Sequence, residues 1–313
     1  MLLSQHLIDQ TNHPITCASF ARFLRVDREI ADPRFVYWFL KSLYVSGEIE
    51  QYQVQHTGVA RFQYTQFAAT RSIPLPDRLQ QEAVAALLGS LDEKIAANRV
   101  LVDVADRLLA AKFAAILHDS TVIPLSSTAQ FVNGKAFTKG ASGTGRVVVR
   151  IAELNSGIGG STVFSDASVE DKHVARAGDV LFAWSGSLTL HRWYRDEAIV
   201  NQHIFKVIPA EGYSPWILYQ LIAGKLQQFK NTAADKATTM GHIQRHHLDE
   251  LVSVPCAEQL ERYGPLMEGL WDRALATEQE SEMLSGIRDA LLPRLISGEL
   301  RVRDAEKVVE EVL

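Results

Sequence analysis

The chain has 313 residues, of which 47% are hydrophobic and 22% are charged, a composition typical of folded globular proteins and not of disordered ones. No apolar run approaches the roughly 20 residues of a membrane-spanning helix, and the N-terminus lacks the basic and apolar regions of a secretory signal. The two cysteines, Cys17 and Cys256, lie far apart in sequence and suggest neither a disulfide framework nor a zinc site. We therefore expect a cytoplasmic protein that does not enter a membrane.

The net charge of −5 is unevenly distributed along the chain. Residues 121–255 carry 13 Lys and Arg against 11 Asp and Glu, whereas residues 256–313 carry 7 against 13. The acidity is concentrated near the C-terminus, which leaves the central region free to face phosphate groups. This distribution permits nucleic-acid binding without establishing it.

The first predicted elements are a strand over residues 20–24 and a short helix that begins at Asp32-Pro33. Both patterns recur, because residues 204–208 repeat the strand and Ser214-Pro215 begins a second helix. Proline is favoured in the first turn of a helix, where its missing N–H leaves no hydrogen bond unmade. Residues 1–4 also resemble residues 180–183, so the N-terminal region is predicted to be half of a globular unit that is repeated in full later.

Two long helices are predicted after these units. Residues 77–118 contain no proline and one glycine, and their apolar side chains recur at steps of three or four. Residues 256–300 repeat this pattern at an offset of 179, with Pro293 predicted to bend the last turn and Gly298 to cap it. The repeat favours pairing of the two copies as an antiparallel coiled coil, with two helices of an ordinary bundle as the alternative.

These patterns predict an α+β fold in which globular domains are joined by two long antiparallel helices forming a coiled coil. The predicted domains are the C-terminal half of a first globular domain (1–72), a first long-helix region (73–120), a complete second globular domain (121–255), a second long-helix region (256–300) and a C-terminal tail (301–313).

Several short stretches resemble the DNA-specificity (S) subunits of type I restriction-modification systems. The most specific are residues 73–88, which begin Ile-Pro-Leu-Pro, and residues 291–300, Leu-Leu-Pro-Arg-Leu-Ile-Ser-Gly-Glu-Leu. Residues 131–135, 176–183 and 201–207 also match the family pattern. The resemblance implies that the globular domains are target-recognition domains, each reading one half of a split site. By comparison with residues 121–179, a complete first domain would add roughly 60 residues before Met1, and we expect that domain to be shortened.

The resemblance also implies partners. The long helices would bind methyltransferase (M) subunits, and a restriction (R) subunit, a nuclease and translocase, would join them on double-stranded DNA. S-adenosylmethionine and ATP would be used only by those partners, so no cofactor is expected in this chain; self-association of two chains stays open. The leucine and isoleucine residues predicted for the partner-binding helices are Leu87, Leu91, Ile95, Leu109, Leu266, Leu270, Leu284 and Leu291.

Four polar stretches in residues 121–255 suit DNA recognition, which uses cations and amides for phosphates and polar side chains for base edges. For three stretches the alternative is ordinary structure: solvated loop charges at 132–139, core tryptophans at 183–193, and a turn that satisfies its own backbone at 201–203. The spacing of His242 and His246 invites a metal interpretation, but no complete ligand set accompanies it and we predict no metal. The predicted DNA-contacting residues are Lys135, Lys139, Trp184, Ser185, Ser187, Arg192, Asn201, Gln202, His203, Lys236, Thr238, Thr239, His242 and Arg245.

The chain lacks the motifs of the corresponding enzymes. It has no Walker-type phosphate loop and no Asn-Pro-Pro-Tyr or Asp-Pro-Pro-Tyr of an amino-methyltransferase, and Trp184-Ser185-Gly186 is not a nucleophile elbow. We therefore predict a non-catalytic, sequence-reading subunit. The alternative is a shortened scaffold or regulatory protein that binds the methyltransferase through its helices without productive DNA reading.

Overall fold

The computed structural model of this chain describes residues 24–56, 59–235 and 242–311. They form two compact units. The terminal unit contains the residues up to Ala96 together with those from Met283 onwards, and the central unit is Ala97–Glu282. Among the described residues, no helix is both long enough and apolar enough to cross a membrane.

The helices account for much of the described chain, and two of them are far longer than the rest. In chain order they are α1 (Pro33–Val45), α2 (Tyr64–Thr70), α3 (Arg78–Ile116), α4 (Ile151–Ser156), α5 (Pro215–Asp235), α6 (Ala257–Ile296) and α7 (Val302–Glu310).

The strands are short, and all but two of them belong to the central unit. They are β1 (Gln53–His56), β2 (Val59–Phe62), β3 (Ser120–Pro124), β4 (Ala129–Asn133), β5 (Arg146–Val149), β6 (Val163–Ser165), β7 (Val174–Ala175), β8 (Val180–Ala183), β9 (Thr189–Arg192), β10 (Ala198–Val200), β11 (Ile204–Pro209) and β12 (Leu251–Pro255).

The terminal unit is built around the first part of α3 and the last part of α6. Buried Leu91 and Ile95 of α3 share a core with Leu284 and Leu291 of α6, and α1 and α7 cover this pair. An ion pair joins Asp92 to Arg288. The start of α1 is fixed by Asp32, whose carboxylate accepts hydrogen bonds from the backbone N–H groups of residues 34 and 35, as expected of a helix N-cap.

The central unit contains two four-stranded sheets. One has the strand order β6-β5-β10-β7 and the other β4-β11-β8-β9, while β12 and β3 form a separate antiparallel ribbon. Helix α5 and the remaining parts of α3 and α6 pack on the second sheet, where Phe182, Trp216, Phe229 and Trp271 lie in one buried core. The side chain of Asn98 donates to Glu280 over 2.9 Å, which joins α3 directly to α6.

The predicted α+β class and the two long helices are confirmed. Helices begin directly after Asp32 and Ser214, as predicted, although the second is 21 residues long. Pro293 lies within the last turn of α6 and Gly298 follows it with φ +76°, in agreement with the predicted glycine cap. The strand predicted over residues 20–24 and the pattern at residues 1–4 lie, apart from residue 24, outside the described residues. The predicted domain limits stay a prediction.

Candidate nucleic-acid interface

Four segments of the central unit meet around the side chain of Trp184. The residue follows β8, and its Nε1–H donates to the side-chain oxygen of Asn133 at the end of β4 over 2.7 Å. Its ring centroid lies 5.2 Å from that of His203 and 6.3 Å from that of His242. Its backbone N–H donates to the carbonyl of His203, and its carbonyl accepts from Ile243. Asn133, Lys135, Trp184, Ser185, Gln202, His203 and His242 are called the Trp184 edge below.

The turn between β10 and β11 connects the two sheets and positions the residues of the Trp184 edge. The N–H of Gly134 donates to the carbonyl of Ile204, and the N–H of Gln202 donates to the carbonyl of Lys135, each over 2.9 Å. A Cβ on residue 134 would lie 2.0 Å from the carbonyl oxygen of Asn201, so only glycine allows this approach. His203 has φ 72°, the only positive φ of a non-glycine residue in the described ranges, and its side chain is exposed.

The side chain of Asn201 is not exposed at the Trp184 edge. Its side chain is buried, with the residue 6% exposed, and its oxygen accepts from the backbone N–H of Phe137. The structure therefore does not present Asn201, which was predicted to contact DNA, for base reading; its side chain ties the turn to the backbone of Phe137 instead. The neighbouring Gln202 is exposed and is able to reach a ligand.

Cations border the Trp184 edge on the β4 side. Lys135 is exposed and its ammonium lies 3.1 Å from the carboxylate of Glu170, which also pairs with Lys172 at 2.7 Å. Hydrogen bonds from Lys172 and Lys135 lower the pKa of Glu170 to about 2. Because all three side chains are exposed, this cluster is held weakly and its lysines can exchange a carboxylate for a phosphate. Lys139 is exposed in the same loop.

The β8–β9 loop carries the two predicted serines. Ser185 forms an isolated bridge with His242, which brings it to the Trp184 edge. The hydroxyl of Ser187 accepts a hydrogen bond from the amide of Asn155 over 2.9 Å, and both residues are exposed. Arg245 is exposed and donates to the carbonyl of Phe131, the third residue of β4. The structure therefore brings Ser185 and His242 to the edge and places Ser187 farther along the loop.

Arg192 was predicted to contact DNA, but the structure buries its side chain and does not present it on the surface. The residue is 6% exposed, and its guanidinium pairs with Glu278 at 2.7 Å and with Asp106 at 3.1 Å. The guanidinium also lies 4.5 Å from the ring centroid of Trp271. Burial raises the pKa of Glu278, and the hydrogen bond and charge of Arg192 offset this rise only in part. A cation that is enclosed by two carboxylates and a tryptophan is not available to a phosphate.

Three predicted residues, Lys236, Thr238 and Thr239, lie outside the described residues. Later in the chain, the rings of His246 and His247 lie with their centroids 4.1 Å apart and their planes tilted by 45°. In the part of the chain that the structure describes, no group of three His, Cys, Asp or Glu side chains could hold a metal ion.

Most of the leucine and isoleucine residues predicted for partner binding are buried in this chain's own cores. Leu91, Ile95, Leu109, Leu284 and Leu291 are at most 3% exposed, and Leu87 and Leu270 pack against the same clusters. These side chains form the stripe that joins α3 to α6, which is the pairing of the two helices that the repeat favours. Their part in binding a methyltransferase stays a prediction. Leu266 is 49% exposed and does not belong to the buried stripe.

A second apolar stripe on α3 was missed by the sequence analysis. Its residues are exposed and recur at alternating steps of four and three, the spacing of the a and d positions of a coiled coil. The largest of them, Leu101, Val104 and Leu108, are 36%, 53% and 41% exposed. The spacing was visible in the sequence, but the stronger buried stripe of the same helix masked it. The residues of this outer stripe are Ala97, Leu101, Val104, Leu108, Ala111 and Ala115.

Comparisons with known proteins connect this geometry to one fold. Neither a protein-family model nor a curated protein matches the chain. The crystal structure of the type I restriction-modification system S subunit from M. genitalium is similar over 86% of this chain and 74% of that chain, with a TM-score of 0.52 and 16% identity. This likeness shows that the chain has the fold of that S subunit.

Two further structures match with lower scores. The HsdS subunit from Thermoanaerobacter tengcongensis aligns with a TM-score of 0.39 at 15% identity, over 88% of this chain and 73% of that chain. A third structure comes from work on complex assembly and conformational transition of the type I restriction-modification system. It aligns with a TM-score of 0.37 at 17% identity, over 88% of this chain and 74% of that chain.

Proposed function

We propose that this chain is the DNA-specificity subunit of a type I restriction-modification complex, which positions double-stranded DNA for adenine methylation and restriction by its partners. The observation that carries the proposal is the Trp184 edge, in a chain with the fold of an S subunit. Four separate segments converge there to present amide, imidazole, hydroxyl and ammonium groups. Such a mixture serves base edges and phosphates together.

Within this edge, Gln202 is the best-placed residue for direct reading of a base. Its side chain is exposed while its backbone is tied to Lys135, so the amide is presented from a fixed position. A glutamine amide can make two hydrogen bonds to adenine in the major groove. Lys135 and Lys139 flank it as phosphate contacts, which set the register without reading sequence.

The outer stripe of α3 is the surface on which a methyltransferase subunit docks. An exposed a/d repeat is stabilised when a second helix packs against it, and the inner face of α3 is already occupied by this chain. The methyltransferase contributes S-adenosylmethionine and the reaction, the restriction subunit uses ATP, and this chain contributes DNA reading alone.

The test is DNA binding by the purified complex of this chain with its methyltransferase, measured by fluorescence anisotropy on duplexes selected from a random pool. Lys135→Ala should weaken binding and reduce the slope of log affinity against log salt by about 0.9, the effect of one lost phosphate contact. Lys307→Ala is the matched control, since it removes an equally exposed lysine from α7. Absence of DNA binding by the wild-type complex, or equal slopes for both variants, contradicts the proposal.

A further inference from the structure

Arg192 connects three parts of the central unit. It ends β9, while Asp106 belongs to α3 and Glu278 to α6, and its side chain is only 3% exposed. The guanidinium contacts Asp106 through two nitrogens and Glu278 through a third. A second ion pair, Arg195 with Glu282 of α6 at 2.9 Å, follows directly after the strand. The end of β9 is thus held on both long helices by directed, charge-assisted hydrogen bonds.

The opposite end of the same hairpin carries the Trp184 edge. In the β8–β9 pair, Arg192 stands opposite Val180, the first residue of β8, and Thr189 stands opposite Ala183, the last. Trp184 and Ser185 follow at once. The hairpin therefore spans about 10 Å, at about 3.3 Å per residue, between the ion pairs on the helices and the candidate DNA-contacting side chains.

A buried ion network of this kind is a poor source of stability, because desolvation of the charges offsets most of their attraction. Its geometry is restrictive, since a planar guanidinium accepts only a narrow range of carboxylate positions. A hydrophobic contact would hold the sheet to the helices with more freedom to tilt. The network is therefore better suited to fixing the angle between the sheet and the long helices than to raising the free energy of unfolding.

We infer that Arg192 is a positioning residue: by clamping β9 to Asp106 and Glu278, it fixes the Trp184 edge relative to the methyltransferase-binding face of α3. This inference rests on the proposed function. DNA is held at one end of the hairpin and the methyltransferase at the other, so the clamp determines where the target adenine arrives. Loss of the clamp should misplace the adenine without removing any group that contacts DNA.

The experiment compares Arg192→Lys with the wild type in the complete complex with the methyltransferase and a duplex containing the methylated motif. Two quantities are measured: the dissociation constant for DNA and the single-turnover methylation rate at saturating DNA. We expect the dissociation constant to change by less than about threefold and the rate to fall by about 10- to 100-fold, as misplacement by about 1 Å produces.

Arg176→Lys is the matched control, because Arg176 also pairs with two carboxylates, Asp171 and Glu197, but neither belongs to the long helices. Both quantities should stay near wild type in that variant. If Arg192→Lys does not fold, the double variant Asp106→Asn with Glu278→Gln tests the same clamp with the arginine in place. An unchanged rate in the folded clamp variants, or a rate that falls only in proportion to DNA binding, overturns the inference. A wild-type complex that binds no DNA contradicts the proposed function instead.

Discussion

Replacement of Gly134 by alanine tests the packing that forms the Trp184 edge. The new Cβ would lie 2.0 Å from the carbonyl oxygen of Asn201 and 2.4 Å from that of Val200. Both atoms belong to the backbone, so the turn between β10 and β11 must move by more than about 1 Å to restore ordinary contact. Such overpacking costs about 1–3 kcal/mol. The hydrogen bonds from Gly134 to Ile204 and from Gln202 to Lys135 are each worth about 1 kcal/mol and would be strained as well.

The expected loss for Gly134→Ala is therefore about 2–5 kcal/mol, which lowers the melting temperature by roughly 5–15 °C in a unit of this size. The assay is thermal unfolding followed by circular dichroism, with DNA affinity measured on the same samples below the transition. Gly160→Ala is the control, because nothing lies within 4 Å of the Cβ position there and its φ is not positive. A melting temperature for Gly134→Ala within about 1 °C of Gly160→Ala would refute the reasoning.

Two further predictions concern a buried carboxylate and the outer stripe. Burial raises the pKa of Glu153, but hydrogen bonds from Arg150 have the larger combined effect and leave that pKa below its usual 4.5. The ionised carboxylate therefore stabilises the fold above about pH 4.5, and this stabilisation is lost as the pH falls. Glu153→Gln should lower the free energy of unfolding, measured by urea titration, by about 1–3 kcal/mol at pH 7 and by less at about pH 3. An equal loss at both pH values would contradict a stabilising role of the ionised carboxylate. Leu108→Glu should abolish co-purification of the methyltransferase while leaving the melting temperature nearly unchanged, because residue 108 is 41% exposed. Retention of the methyltransferase by Leu108→Glu would show that it docks elsewhere.

The helices were predictable because their signals are local. The i, i+3, i+4 recurrence that includes Leu91 and Leu109 marks the buried face of α3, and Asp32 followed by proline marks the start of α1. Both features depend on residues within one or two helical turns. Leu266 follows the same period but is 49% exposed, so the period alone does not show which side chains of the stripe are buried.

The candidate site was less predictable because its contacts are distant in sequence. Arg192 stands in a polar stretch beside a loop, yet its two carboxylates are each 86 residues away. Nothing in residues 183–193 reveals those partners, so exposure was the natural expectation. The role of Asn201 likewise depends on Phe137, 64 residues earlier. In contrast, Trp184, His203 and His242 were named from three short polar stretches beside predicted strands and loops, and the structure brings them together.

The central claim is that this chain directs an adenine methyltransferase to a DNA sequence. The most direct test is co-expression of the chain with that methyltransferase in a host without adenine methylation, followed by genome-wide mapping of methylated adenine. We predict methylation confined to one sequence motif, and none when this chain is omitted. A stable complex that methylates no motif, or the same methylation without this chain, would contradict the claim.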